Sequence, residues 1–469
     1  MLDDRQETAE VQPDASDLRD ESGAIRADIV ERVAATIEAA DVPVLADLVG
    51  GWHEANLGDL LAALDPALRP RLIELLGAGF DFKALTELDE AARRDILDRL
   101  PPVAVILGIR ELETDDAVAI LEALPKERQK DILERLPHPK RVALARSLEY
   151  PEDSAGRRMQ TEYIAVRPDA TVGQTIDYMR ETPDLPDRFY EIFVTDRGHR
   201  LLGAVALDRL LRAKRPVPIS ELMNEEMPRV RAFDDQEEVA RLFERYDLVA
   251  APVVDEAERL VGVITIDDVV DVIEEEADED LKALGGVHGE ELSDPVGTVA
   301  RRRFNWLLVN LATAFLASSV LGLFEGQLQK MVALAVLAPI VASQGGNAAT
   351  QTMTIVVRAL AVRELSSANV WRTILREVLV GFVNGLAFAV ITGVAAVAWF
   401  QVPQLGFVIG LAMLCNLVAG ALGGILIPLI LDRSGADPAV SSGVFVTTVT
   451  DVVGFFSFLT IATFWFGLK

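Results

Sequence analysis

Asp451 stands in the run Thr447-Thr448-Val449-Thr450-Asp451-Val452-Val453-Gly454-Phe455 and is the only acid between Ser442 and the C-terminus. An ionisable side chain inside an apolar span is costly unless it faces a partner or water, so by default it marks an ion or proton pathway. A second polar interruption is Ser343-Gln344-Gly345-Gly346-Asn347-Ala348-Ala349-Thr350-Gln351. A glycine pair inside a span permits either close helix contact or a local unwinding that bares carbonyl oxygens. Asn347 and Gln351, taken with Thr447, Thr448, Thr450 and Asp451, favour a polar path for a cation over a dry packing interface.

A third chemical feature lies just ahead of the apolar region. From Ile266 to Leu281 acids accumulate with no base before Lys282. On a helix, Asp267/Asp271, Asp268/Asp271, Glu276/Glu279 and Glu276/Asp280 fall three or four residues apart, where like charges repel. Divalent cations held between this helix and another acidic surface would relieve that repulsion, because hard cations prefer carboxylate and water oxygens. The competing explanation is a solvated charge run. The run ends at Gly285-Gly286, directly before the apolar third, where a cation-dependent shift could be passed on.

The elements that must position these groups follow from composition. The chain has 469 residues, which suggests about three units of ~150 residues. Residues 301 to 469 hold six acids against ten Lys or Arg, a balance of +4, so the overall −28 leaves −32 for residues 1 to 300. Such a front repels phosphates, which argues against nucleic acid as a partner. The one cysteine, Cys415, excludes an intrachain disulfide framework and a zinc cluster. Residues 1–25 are polar and acidic with no apolar core, so they are expected to be a disordered tail rather than a secretory signal, which leaves the front cytoplasmic.

Residues 26–150 show Leu and Ile at helical spacing and are expected to be all-α. Arg94-Asp95-Ile96-Leu97-Asp98-Arg99-Leu100-Pro101 recurs 36 residues later as Lys130-Asp131-Ile132-Leu133-Glu134-Arg135-Leu136-Pro137, the length of a helix-pair repeat. Residues 151–272 carry a tandem α/β repeat of short strands and helices. This resembles a pair of CBS domains, whose hallmark Gly-x-x-Thr/Ser-x-x-Asp is met by Gly262, Thr265 and Asp268. The resemblance implies adenosine nucleotide binding, ATP being the candidate, at one site only, since Ala206 and Arg209 stand where the first copy would need its hydroxyl and acid. Residues 273–300 are the acidic connecting helix and linker, and residues 301–469 form the transmembrane domain.

Five spans are expected, at 304–324, 331–357, 374–400, 405–431 and 442–465, each near or above the ~20 apolar residues that cross a bilayer. Arg301 to Arg303 precede the first; Arg358, Arg363, Arg372 and Arg376 flank the second connection; Arg433 lies in the fourth. By the positive-inside rule the N-terminus is cytoplasmic and the C-terminus outside. A symmetric dimer would bring two Asp451 carboxylates to one axis, neutralising a 2+ ion that keeps its water, as suits Mg²⁺.

Taken in order, these parts resemble the MgtE family of magnesium channels across nearly the whole chain. The resemblance implies a multidomain membrane protein and not an enzyme. It would be a homodimer in the cytoplasmic membrane, importing Mg²⁺ past Asp451 and closing when cytosolic Mg²⁺ is abundant. It carries the second-span Asn onto Asn347 and the regulatory acids onto Asp268, Asp271, Glu276, Glu279, Asp280 and Glu221. Among the N-domain ligands only Asp115 matches, with Ala119 and Lys83 where acids are expected. Val444 replaces a proline common ahead of the pore threonines. A proton- or Na⁺-coupled transporter and a non-transporting CBS sensor are the alternatives.

Overall fold

The 36-residue recurrence is a recurrence of helix pairs. In the computed structural model, which describes residues 18–182, 185–186, 188–287, 289–290, 294–365 and 369–468, Glu90–Arg99 and Pro102–Glu111 are answered by Lys126–Arg135 and His138–Ser147. Each first helix buries its Ile (Ile96, Ile132) and carries an i,i+4 ion pair outside, Arg99–Asp95 at 2.7 Å and Arg135–Asp131 at 2.8 Å. Each ends on an extended leucine, Leu100 or Leu136, because the following proline disfavours helical backbone in the residue before it. The preceding helices, from Ala27–Ala39 to Arg69–Leu76, share one apolar core with these pairs. Leu18 and Ile25 join that core, and Arg19 bridges Ile25. The expected tail to residue 25 is therefore too long: two apolar side chains anchor residues 18–25, while residues 1–17 lie outside the described residues.

The tandem repeat forms two three-stranded sheets. The strands are β1 (Ala165–Val166), β2 (Glu191–Thr195), β3 (Leu201–Ala206), β4 (Val230–Arg231), β5 (Ala250–Val254) and β6 (Leu260–Thr265). In each sheet the first strand runs parallel to the second and the second antiparallel to the third, with the same irregularity at Val194/Thr195 and Val253/Val254. The helices Val172–Glu181 and Gln236–Tyr246 supply the crossovers that parallel pairing requires. The copies are interleaved. Gln160, ahead of the first copy, pairs with Val263 of the second, and Asn224, ahead of the second, pairs with Ala204 of the first. Gly262 and Gly203 make room for these crossings: a Cβ would stand 2.8 Å from the Gln160 carbonyl oxygen and 2.5 Å from that of Asn224.

The connecting helix, Ile266–Leu284, leaves β6 without a loop, so it begins inside the 151–272 segment rather than at 273. By internal packing the chain divides into two compact units, residues 1–275 and 276–469. Within the second unit the helix ends with Ala283 buried in an apolar cluster with Ala349, Met353, Val357, Ala439 and Val446. The chain then turns at Gly286, whose φ is +71°, against Trp306 of the next helix.

Among the described residues five helices are long and apolar enough to cross a membrane: Val296–Gly322, Val332–Ala361, Val370–Phe400, Pro403–Ser434 and the Gly443–Phe466 part of Pro438–Phe466. Half of the fourth span's most apolar stretch is buried against its neighbours and only 6% of the first's, so the fourth is central and the first peripheral. Small residues bring the third and fourth spans together: Gly393 and Gly406 meet backbone to backbone, and Gly381 faces the Leu417 carbonyl. The second span runs unbroken through Gly345 and Gly346. Of the two uses open to that glycine pair, the structure adopts close contact, not unwinding.

Gly286→Ala is expected to weaken the junction between connecting helix and first span. The left-handed backbone alone costs an L-residue about 1–2 kcal/mol, and the new Cβ would stand 2.0 Å from Trp306 Nε1. A blue-to-red shift in Trp306 fluorescence, with the other four tryptophans replaced by Phe, checks this.

Candidate cation sites

Acids from separate parts of the first unit converge on one seam. Thr114–Glu122 opens with Asp115 and Asp116 in its first turn, where carboxylates are favoured by the helix N-terminus. Its start is capped from the segment leading to β1: Glu162 accepts from Thr114 N at 3.2 Å and Thr114 Oγ1 at 2.9 Å, while Lys140 pairs with Glu162 at 3.2 Å. Glu113, Asp115 and Asp116 can each offer an oxygen within 4.8 Å of the others. Burial, then the Asp268 and Asp116 carboxylates, hold Asp115 well above its usual range. Burial and then Asp267 push Asp268 up to about 7, against the hydrogen bond it accepts from Thr265 Oγ1 at 3.0 Å. Partial burial and the Asp271 carboxylate likewise raise Glu87.

The expected Asp115 and Asp268 therefore do meet, but in company that sequence spacing did not reveal: Glu113, Asp116, Asp267 and, beside Asp271, Glu87. Lys83 enters the same group. Its Nζ lies 3.3 Å from Asp116 Oδ2, on the short turn Phe82–Leu85 capped by Asp81. Burial alone would lower its pKa, but Asp116 and Asp115 outweigh burial and raise it above the usual range. By donor type the three carboxylates suit a hard cation; with Lys83 among them, one positive charge is already covalently in place.

The other expected acids are spread out. Glu276, Glu279 and Asp280 run along the connecting helix, Glu279 exposed, and Glu221 is exposed at the end of the short turn Ile219–Glu221. A counter-charge from outside the local sequence reaches this helix, Arg158 pairing with Glu275 at 2.5 Å, and within the helix Lys282 pairs with Asp278 four residues back at 2.6 Å. The hallmark residues of the second CBS copy also separate by role. Gly262 accommodates the crossing at Gln160, Thr265 and Asp268 bond each other, and Thr265 alone lines a cleft with Glu162, Tyr163, Arg188, Tyr190 and Glu191. The cleft offers about 20 Å³, room for about one water, so a nucleotide would have to open it. The first copy's Ala206 precedes the short helix Leu207–Arg212, which contains Arg209.

In the second unit Ser343, Asn347, Thr350, Gln351 and Thr354 are all exposed along one face of the second span. Residues 343, 347, 350, 351 and 354 share a face because a helix turns once in 3.6 residues. Asp451 is half-buried on the fifth span beside fully buried Thr450, and a Cβ at Gly346 would lie 3.7 Å from Thr450 Oγ1. The threonines donate to their own helices: Thr350 to Gly346 O at 3.0 Å, Thr354 to Thr350 O at 3.0 Å, Thr447 to Gly443 O at 3.0 Å and Thr448 to Val444 O at 2.6 Å. A hydroxyl whose proton is so used can only accept from elsewhere, so this lining offers lone pairs to cations.

Helical pairs, interleaved α/β repeats, an acidic helix and five spans with an intramembrane acid define a polytopic cation-transport protein rather than an enzyme. Residues 338–461 match MgtE, described as a divalent cation transporter family; residues 52–153 match the MgtE intracellular N domain; and residues 155–215 and 219–275 each match the CBS domain. The magnesium transporter MgtE of Thermus thermophilus is 35% identical over 445 residues, 92% of this chain and 98% of that one. The magnesium transporter MgtE of Enterococcus faecalis is 34% identical over 316 residues, 67% of this chain and 70% of that one. Among solved structures, the cytosolic domain of the Mg²⁺ channel MgtE in complex with ATP is 32% identical at a TM-score of 0.49, covering 52% of this chain and 99% of that one. The chain belongs to the MgtE family of divalent cation transporters.

Two outcomes are expected at the seam. In chelator, amides of residues 82–88 and 114–118 should stay protected from hydrogen exchange in the parent protein, and in Lys83→Gln they should need millimolar Mg²⁺ for that protection. Asp268, raised from an ordinary 3.8 to about 7, keeps its proton longer when folded than when unfolded. Its contribution to stability is thus full below about pH 4 and lost as pH rises through about 7. Metal-free protein should show less exchange protection at residues 266–272 at pH 8 than at pH 5.5, and Asp268→Asn should reduce the difference, the raised Asp115 and Asp271 supplying the rest.

Proposed function

We propose that this protein is a Mg²⁺ channel of the cytoplasmic membrane, a homodimer whose pore is lined by the second and fifth spans of each subunit. The observation that carries the reading is the exposed polar face Ser343, Asn347, Thr350, Gln351 and Thr354. Hydrocarbon does not tolerate such a face, so it meets water or a second subunit. Asp451 from each subunit supplies charge at the shared axis. Two carboxylates balance a 2+ ion, and lone pairs of Asn347, Thr447, Thr448 and Thr450 meet its retained water. Gly345 and Gly346 keep the second span close enough for this.

Gating by cytosolic Mg²⁺ follows from the connecting helix. Asp268, Asp271, Glu276, Glu279 and Asp280, with Glu221 and the Asp115 cluster, offer hard oxygen donors in regions of crowded negative charge. Cations that draw these acids together move a helix whose last turn, through Ala283, is packed on Met353 and Val357 of the second span and Val446 of the fifth. Transmitted along one continuous helix, that motion reaches the ends of the pore-lining spans. Arg301 to Arg303 and the arginines of the second and fourth connections set the N-terminus in the cytoplasm and the C-terminus outside. ATP is the proposed ligand of the Thr265 cleft, with Tyr163 or Tyr190 against the base and Arg188 for phosphate.

Purified protein in proteoliposomes should admit Mg²⁺ without a proton or Na⁺ gradient. Asp451→Ala should cut that flux by at least about a hundredfold, on the scale of ~2.7 kcal/mol for a lost charged contact, while still inserting and assembling. Flux that requires a gradient would favour the coupled-transport reading, and normal flux from a folded Asp451→Ala protein would remove Asp451 from the pathway.

A further inference from the structure

We propose that Asn416 is a positioning residue for permeation: it fixes the height of the second span against the fourth and fifth, and so sets Asn347 against Asp451. This rests on the pore reading above. Asn416 lies midway along the fourth span and is fully buried. Its Nδ2 donates to the Val341 carbonyl of the second span at 2.8 Å. Reversing the amide would set its oxygen against that carbonyl, so the orientation is fixed by chemistry. The side chain is also boxed by two glycines. A Cβ at Gly345 of the second span would come 2.1 Å from Nδ2, and one at Gly454 of the fifth would come 2.8 Å from it.

These contacts bracket the pathway: Gly345 is two residues before Asn347, and Gly454 three after Asp451. Elsewhere the fourth span meets the second through a smooth ridge. Gly420 lies against the Gly345 carbonyl and Gly424 against that of Ala349, where Cβ atoms would stand at 2.8 and 2.5 Å. Small residues let backbones approach but give no stop against sliding along the axis. A directional hydrogen bond from Asn416 supplies the stop. Volume alone does not account for an amide here. Its Oδ1 is buried with no hydrogen-bond donor among the described residues, and a leucine would fill similar space without leaving a polar atom unsatisfied.

The test is Mg²⁺ flux into proteoliposomes for full-length Asn416→Leu, Asn416→Asp and Gly345→Ala, with Asp451→Ala alongside. Asn416→Leu loses the donor, Asn416→Asp loses it when ionised, and Gly345→Ala keeps the amide but displaces it. Each is expected to raise half-saturating Mg²⁺ by about tenfold, equivalent to ~1.4 kcal/mol, and to narrow discrimination between Mg²⁺ and Ca²⁺. A merely structural role would lower only the maximal flux through loss of active protein. Folded variants with unchanged half-saturation and selectivity overturn the proposal, and if Asn416→Leu does not fold, Gly345→Ala decides on the same readouts. An inactive Asp451→Ala beside an unaltered Asn416→Leu overturns this inference alone, whereas a fully active Asp451→Ala overturns the pore reading with it.

Discussion

A carboxylate withdrawn from water needs a cation near it, since two charges 4 Å apart at a protein surface interact by about 4 kcal/mol and more where water is excluded. Both units of this chain are organised by that requirement and meet it in different ways. In the first, Asp115, Asp116, Asp267 and Asp268 are brought together and Lys83 is placed among them. In the second, Asp451 has no lysine or arginine in its surroundings on the span, and the polar lining around it is arranged to accept rather than donate. In the first unit a tethered ammonium stands among the acids; on the fifth span the Asp451 carboxylate has no such tethered partner in its own sequence.

Parts governed by periodicity were legible in the sequence. The helix pairs, the doubled α/β pattern and the five spans all repeat at spacings set by backbone geometry, so Ile96 and Ile132, or the sheets of β1–β3 and β4–β6, announce themselves without tertiary information. Asp451 was legible for a different reason, as a charge in a segment that excludes charge. The seam was not. Glu113, Asp116 and Asp267 look like ordinary helix-start acids, and only folding brings the Thr114 and Ile266 helix starts together. Lys83 read as a missing ligand, whereas in the structure its ammonium pairs with Asp116 at 3.3 Å.

Asn416 went unread because nothing flanks it except Cys415 and Leu417, and a single amide in an apolar run has no period. The glycine pair was ambiguous for a related reason: close approach and unwinding both need Gly345 and Gly346, and only the position of a neighbouring helix distinguishes them. The tail boundary moved because two apolar residues, Leu18 and Ile25, outweigh the polar composition around them once a core is available.

The interleaved bridges at Gln160 and Asn224 make the two copies structurally interdependent. Each copy's leading segment completes the sheet of the other, so deletion of either would expose an open strand edge in the survivor. The first copy has Ala206 and Arg209 where the second has the hallmark hydroxyl and acid, yet it cannot be removed without opening the sheet of the second.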